Sequence, residues 1–504
     1  MNAQQISRQK RFSLSKRFLV LNIVSIAAFA PGCTQHVDPL QQSAKVLGAA
    51  ELKSIEFSGA GRWYQFGQAP NPTSAWPPFD VSNYTAAINY DTAAARVQIT
   101  RKQTIEPGRE RPAPVEQKPD QYVSEAFAWN LAVPQGAPAD TAPTAQAQPA
   151  ATEERASEIW TTPQGFLKAA LANNATVKKV DGGSAVEFTA NNHRYQGHIN
   201  AQYQVDNVKT WIDNPVLGDT PIEYSYSDYK SFENLAFPTH IVRKQGGYPV
   251  LDLTINSVKI NIPVEIAVPD EVRAADATKI NVTSEQLADG VYYLRGGTHH
   301  SVAIEQKNHI VVVEAPLNEQ RSLAVIAKVK ELIPNKPIAY LINTHQHFDH
   351  SGGLRTYVDE GAVIVTQAQN KSYYEQAWAA PHTLNPDRLS ASKRAAKFET
   401  FTDGYVLDDA QRKIEIHSIA GSGHNDAFAL VYLPAQKILI EADAYTPLAA
   451  NASRPASVNP YSINLYDNVK RLNLSVDKIA ALHGPGVVKL ADLEDFISAK
   501  NASR

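Results

Sequence analysis

The segment Thr344-His345-Gln346-His347-Phe348-Asp349-His350-Ser351-Gly352-Gly353 constrains this chain more than any other. It follows the apolar run Pro337–Ile342, so it delivers three histidines and an aspartate within six residues, directly after a buried strand. His345 and His347 lie two apart, and on extended backbone their side chains point the same way. As neutral imidazoles they can grip one cation. Asp349 and His350 lie round the ensuing turn, within reach of a second cation. A metal-free polar loop is the plainer alternative, but this density of potential ligands after an apolar strand outweighs it.

The flanking texture is that of a layered α/β domain. Val291–Leu294, Val302–Glu305 and Ile310–Val313 read as strands, Gln320–Leu332 as an amphipathic helix, Gly353–Asp359 as a helix and Ala362–Thr366 as a strand. Ile414–Ile419, Ala427–Leu433, Ile438–Glu441 and Ile479–Leu482 supply the later strands. Thr366–Asp408 reads as a strand-poor insert and a lid.

The motif His345-x-His347-x-Asp349-His350 resembles the signature of the metallo-β-lactamase superfamily, over about Gly290 to Leu490. The resemblance implies an αββα sandwich with metals at one edge, and three further ligands at later strand ends. His424, in Gly421-Ser422-Gly423-His424, Asp443 after Lys437–Ile440, and His483 after Ile479–Leu482 stand at those places. Carried over, His345, His347 and His424 form one site, Asp349, His350 and His483 another, and Asp443 bridges both. All donors are nitrogen or carboxylate oxygen, which suits zinc and tolerates iron or manganese. Two departures stand out: Ala442 precedes Asp443 where Gly is usual, and Glu314 ends its strand where Asp is common, leaving the contact there open.

The expected chemistry is hydrolysis. Two divalent cations about 3.5–4 Å apart acidify a bridging water, and the hydroxide attacks an ester, thioester, lactone, lactam or related bond. Asp349 orients the nucleophile and handles its proton, while Tyr445, His299, His300 and His382 are candidates to line the substrate cleft. Two alternatives stand beside this: a mononuclear iron sulfur dioxygenase of the same fold, and a non-catalytic envelope lipoprotein that binds a ligand.

From 51 to 268 short alternating or aromatic-rich segments recur between turn residues, the pattern of a mostly antiparallel sheet or partial barrel. Ala86–Tyr90, Ile199–Val205, Ile222–Tyr229 and Val250–Ile260 are examples, with Thr162–Asn173 the best helix. Pro134–Thr152 reads as a flexible loop and 269–285 as a linker to the domain 286–504. The stretch from Phe237 to Pro263 loosely resembles the end of a lipoprotein-sorting-type half-barrel.

Residues 1–32 carry Arg8, Lys10, Arg11, Lys16 and Arg17 without an acid, then the apolar run Phe18–Ala30. That is an export-signal pattern. Cys33, the only cysteine, follows Ala30-Pro31-Gly32 and resembles a lipidation site, with 33–50 as a tether. The rival is simple secretion after cleavage at Ala30. The expected location is the periplasm or cell envelope, with the membrane as partner through the lipid. Removing the signal leaves 43 basic and 51 acidic residues, a charge of −8, which disfavours nucleic acid and leaves a small molecule as substrate. The sequence fixes neither the substrate nor the oligomeric state.

Overall fold

The structure, a computed structural model, describes residues 38–133, 141–275, 280–450, 452, 454–455 and 457–498. The basic–apolar segment and Cys33 lie outside the described residues. Among the described residues no helix is long and apolar enough to cross a membrane.

In the N-terminal half alternating side chains build one sheet of 13 strands, antiparallel throughout. Leu251, Leu253 and Ile255 of Tyr248–Ile260 are buried on one face, as period-two alternation requires. That strand pairs with Ser54–Tyr64, so the last strand of the half closes onto its first. Helix Pro163–Ala172 covers the inner face with Phe166, Leu167 and Ala170. Its start is written locally: Thr162 accepts from Gly165 N, and Pro163 occupies the first turn.

The C-terminal half is the expected αββα sandwich. A seven-stranded and a six-stranded sheet face each other over one core, where Val302, Val311 and Ile342 meet Ile416, Val431 and Leu439. Helices Glu319–Leu332 and Leu354–Glu360 accompany the first sheet, Pro460–Arg471 and Leu490–Ser498 the second. Two parallel pairs matter most. Ile310–Val313 runs beside Ile338–Ile342, and Ile438–Glu441 beside Lys478–Ala481. Parallel neighbours end at the same edge, so the residues that follow these four strands are gathered together.

Several segments differ from their sequence reading. Ile199–Val205 is no strand but a turn between His193–Asn200 and Val205–Asn214, because the Asn200 side chain accepts from Gln202 N and Gln204 N. The stretch read as a tether holds helix Pro39–Val46, with Leu40 and Ala44 buried. Within Pro134–Thr152 the described residues include edge strand Thr144–Ala147. The linker region holds helix Asp270–Ala274 and strand Thr283–Ala288, which opens the seven-stranded sheet. Thr366–Asp408 is not a lid: Phe398–Phe401 extends that sheet in parallel, and Trp378 stacks between Tyr374 and Phe398.

Candidate metal centre

Strand Ile338–Ile342 ends at Asn343, and the chain then turns through the short helix Phe348–Ser351. Gly352 and Gly353 let this turn press against its neighbours. A Cβ on Gly352 would lie 1.9 Å from the Leu317 carbonyl oxygen, and one on Gly353 2.0 Å from Ser322 Oγ. The turn therefore seats His345, His347, Asp349 and His350 at the edge where Asp443 and His483 end their own strands. His424 arrives on the loop between Lys413–Ser418 and Ala429–Leu433.

Two overlapping groups of donors result. His345, His347, His424 and Asp443 have ligand atoms within 4.8 Å of one another, as do His299, Asp349, His350 and His483. Asp443 lies between them. Its Oδ2 is 3.2 Å from His345 Nε2, 2.9 Å from His350 Nε2 and 3.3 Å from His424 Nε2, while its Oδ1 is 3.0 Å from His483 Nε2.

The proton positions follow from the surroundings, because carbonyl and carboxylate oxygens only accept. His350 Nδ1–H donates to Glu314 Oε2 at 2.5 Å, and His483 Nδ1–H donates to the Thr298 carbonyl at 3.1 Å. His345 Nδ1–H donates to Thr344 Oγ1 at 3.0 Å, whose hydroxyl donates in turn to Glu314 Oε2. Each of these three rings thus aims Nε2 inward. His347 is the reverse: its Nε2–H donates to the Ala69 carbonyl at 3.0 Å, and its Nδ1 is buried without a partner. Glu314, at a left-handed φ of 69°, therefore makes the contact the sequence left open.

The donor set fits metal ions. His483 Nε2 and His350 Nε2 are 3.0 Å apart, and His424 Nε2 and His345 Nε2 3.3 Å. Lone pairs so close repel unless a proton or a cation lies between them. His347 Nδ1 is buried with no hydrogen-bond partner, which is costly in a protein that binds nothing there. Burial also pushes the His345 imidazole down to about 4, helped by neighbouring His350, so it stays neutral and able to ligate. Burial works against a charge on His350 as well, but Asp443, Asp349 and Glu314 together outweigh it and hold this ring well above the ordinary histidine range. That is the proton a cation would replace.

Asp349 is held from two sides. Gln68 Nε2 donates to its Oδ1 at 2.8 Å, and His299 Nε2–H donates to its Oδ2 at 3.2 Å. Of the four residues expected at the substrate cleft, His299 alone touches the donor set. His300 instead braces the His483 turn, with Nε2 2.9 Å from the Gly484 carbonyl. Tyr445 is buried in the core against Phe496. His382 packs beside Gly218 in the N-terminal half. Gln68 and Ala69 were missed by the sequence reading, since an amide and a backbone carbonyl in a distant loop carry no ligand signature.

Residues 294–444 match the family model for the metallo-β-lactamase superfamily, a span that holds six of the seven expected ligands and stops short of His483. A linear primary-alkylsulfatase from a Pseudomonas species is 22% identical over 217 residues, which are 42% of this chain and 31% of that enzyme. The chain thus spans under a third of that relative's length. Among solved structures, a metallo-β-lactamase from Pontibacter korlensis is 17% identical, with all of it covering 44% of this chain at a TM-score of 0.32. Rubredoxin oxygen:oxidoreductase from Desulfovibrio gigas is 12% identical, over 43% of this chain and 61% of that one, at a TM-score of 0.35. The family match falls within the two-sheet half, from its second strand to the residue after Asp443.

Proposed function

With the C-terminal half a metallo-β-lactamase superfamily domain, we propose that the protein is an exported hydrolase whose edge site holds two divalent metal ions, zinc first among them. The observation that carries this is the convergence of seven donors around Asp443, with one buried, unpartnered nitrogen, His347 Nδ1, among them. Bound there, two such ions supply Lewis acidity and a water that is acidic near neutral pH.

The chain's own residues do the rest. Asp349, held between Gln68 and His299, fixes the direction of the attacking water and accepts its proton. His299 holds that carboxylate in place through its Nε2–H, and Asp349 itself hands the proton on to the leaving group. Glu314 keeps His345 and His350 facing inward by taking their outer protons, directly for His350 and through Thr344 for His345. A complete second donor set favours hydrolysis over a one-iron dioxygenase.

A cavity of about 600 Å³ opens beside the site, with Thr298, Gly484 and Pro485 at its inner end and Pro112, Leu448 and Phe496 along its walls. None of its described lining residues is charged. It suits an uncharged, apolar limb of the substrate, such as an acyl or alkyl group. By contrast, the cavity enclosed by the N-terminal sheet is about 110 Å³, small against the roughly 300 Å³ or more of ligand pockets. That disfavours the reading of this protein as a ligand carrier. The alkylsulfatase relative puts sulfate esters on the test panel beside esters, thioesters, lactones and lactams.

The test is elemental analysis of the purified protein followed by that panel. Two transition-metal ions per chain with turnover of at least one substrate is the expected result. One iron with no second metal would instead support the dioxygenase. Export and lipidation at Cys33 belong to the same proposal: wild-type protein should fractionate with membranes, and Cys33→Ser should release it or leave it unprocessed. A soluble wild-type protein beginning at Pro31 would sink the lipid anchor.

A further inference from the structure

The loop 65–77 joins the first two strands of the N-terminal sheet, yet its contacts are with the metal centre. The Gly67 carbonyl accepts from Phe348 N at 3.2 Å, and the Pro70 carbonyl accepts from Asp426 N at 2.7 Å. The Ala69 carbonyl accepts from Gln346 Nε2 at 2.9 Å, His347 Nε2 at 3.0 Å and Asn425 Nδ2 at 3.4 Å. Gln68 reaches Asp349. Two ligand-bearing loops, one with His347 and Asp349 and one with His424, are thus pinned to one strap from the other half of the chain.

We propose that this strap is a working part of the metal centre, so that the N-terminal half sets how tightly the C-terminal half binds its ions. The inference rests on the metal reading above. Ala69 fixes the tautomer of His347. Its carbonyl accepts the hydrogen bond from Nε2–H, which keeps the proton on that nitrogen and leaves Nδ1 bare, and a ring donating to a carbonyl is the more basic ligand. Without that acceptor the buried proton has no partner, and the ring gains by placing it on Nδ1, where it blocks ligation. Gln68 is a positioning residue of a different kind. Its neutral amide orients the Asp349 carboxylate while leaving its full negative charge for a cation, which Lys or Arg at the same place would partly cancel. The strap is shaped for this approach: Gly67 has φ +75°, and a Cβ there would lie 2.6 Å from the Phe348 ring.

Full-length, metal-free protein tests this, titrated with Zn²⁺ against a chromophoric chelator and with Co²⁺ followed by its d–d absorption. Gln68→Leu removes one hydrogen bond from a half-buried side chain. It should weaken one of the two binding steps by about 10–100-fold and alter the cobalt spectrum, while circular dichroism stays unchanged. Gly67→Val, which lifts the strap from Phe348, should weaken the step that depends on His347 by a similar factor. Should Gly67→Val not fold, Gln68→Leu decides alone. Folded Gln68→Leu that binds both ions with wild-type affinity and spectrum overturns the inference. Wild-type protein that binds neither ion overturns the metal reading itself, a distinct result.

Discussion

Asp349 and His350 are adjacent in sequence and opposite in electrostatic state. Asp349→Asn keeps the shape of the side chain but gives up its charge and its ability to accept a proton. The fold should persist and turnover should fall by about two to four orders of magnitude, the usual range for losing a general base. Activity on a substrate found in the panel, with metal content measured on each variant, checks this. His193→Ala is the control, since that ring pairs with Glu153 in the N-terminal half. Wild-type activity in Asp349→Asn with both metals bound would leave the assigned role wrong. In the metal-free site two of the perturbed rings, His350 and His345, act in opposite directions with pH. His350 is held above the ordinary range, so its stabilising contribution is complete below about pH 6.5 and fades as pH rises toward its folded value. His345 is lowered to about 4, so its contribution is lost as pH falls from about 6.5 toward 4. The site's contribution to metal-free stability should therefore peak near pH 6.5. Metal uptake should release protons and tighten with rising pH. Thermal melts across pH, with and without Zn²⁺, would show this. A metal-free melting temperature that climbs steadily through pH 8 would contradict the assignment for His350.

At the scale of elements, the ligand-bearing turn is held by close backbone approach more than by side chains. Gly352→Ala forces a Cβ onto the Leu317 carbonyl, and the clash is with backbone that cannot swing away. We expect about 1–3 kcal/mol of destabilisation in urea titrations, with weaker metal binding because the turn shifts. Unchanged stability would mean that the neighbouring loop yields more readily than its packing implies. These elements also show what the sequence reveals. The later donors that converge at this edge were legible because apolar strands such as Ile438–Glu441 and Lys478–Ala481 are followed within two residues by Asp443 and His483. Strand Thr283–Ala288 was not, since it sits at the sheet's edge with most side chains exposed and so lacks an apolar rhythm. The turn at Asn200 was hidden by a local side-chain bond inside a stretch that alternates apolar and polar residues as a strand does. Nearness in sequence does not set side-chain direction: Tyr445 lies two residues from Asp443 but turns into the core.

At the scale of the molecule, the described residues of the two halves meet at several places. The strap 65–77 is one. Arg109 pairs with Asp426 at 2.8 Å while Arg111 reaches Tyr461, whose ring lies 5.3 Å from that of His424. Asp219 accepts from Thr383 N and Leu384 N at the far side. Halves joined this way around a shared site should unfold together, and metal bound at the C-terminal edge should stabilise the N-terminal sheet. Tryptophan placement makes this measurable. Trp63, Trp76, Trp129, Trp160 and Trp211 lie in the N-terminal half and Trp378 alone in the C-terminal half. In Trp378→Phe, fluorescence therefore reports the half without the seven expected ligands. Saturating Zn²⁺ at about one hundred times the dissociation constant contributes about 2.7 kcal/mol per site to whatever unfolds with the metal domain. The fluorescence midpoint should rise with Zn²⁺ and track far-ultraviolet circular dichroism. A fluorescence midpoint indifferent to Zn²⁺, in a protein whose dichroism midpoint rises, would mean that the N-terminal sheet melts independently. In that case the contacts between the halves would shape the site without coupling their stability.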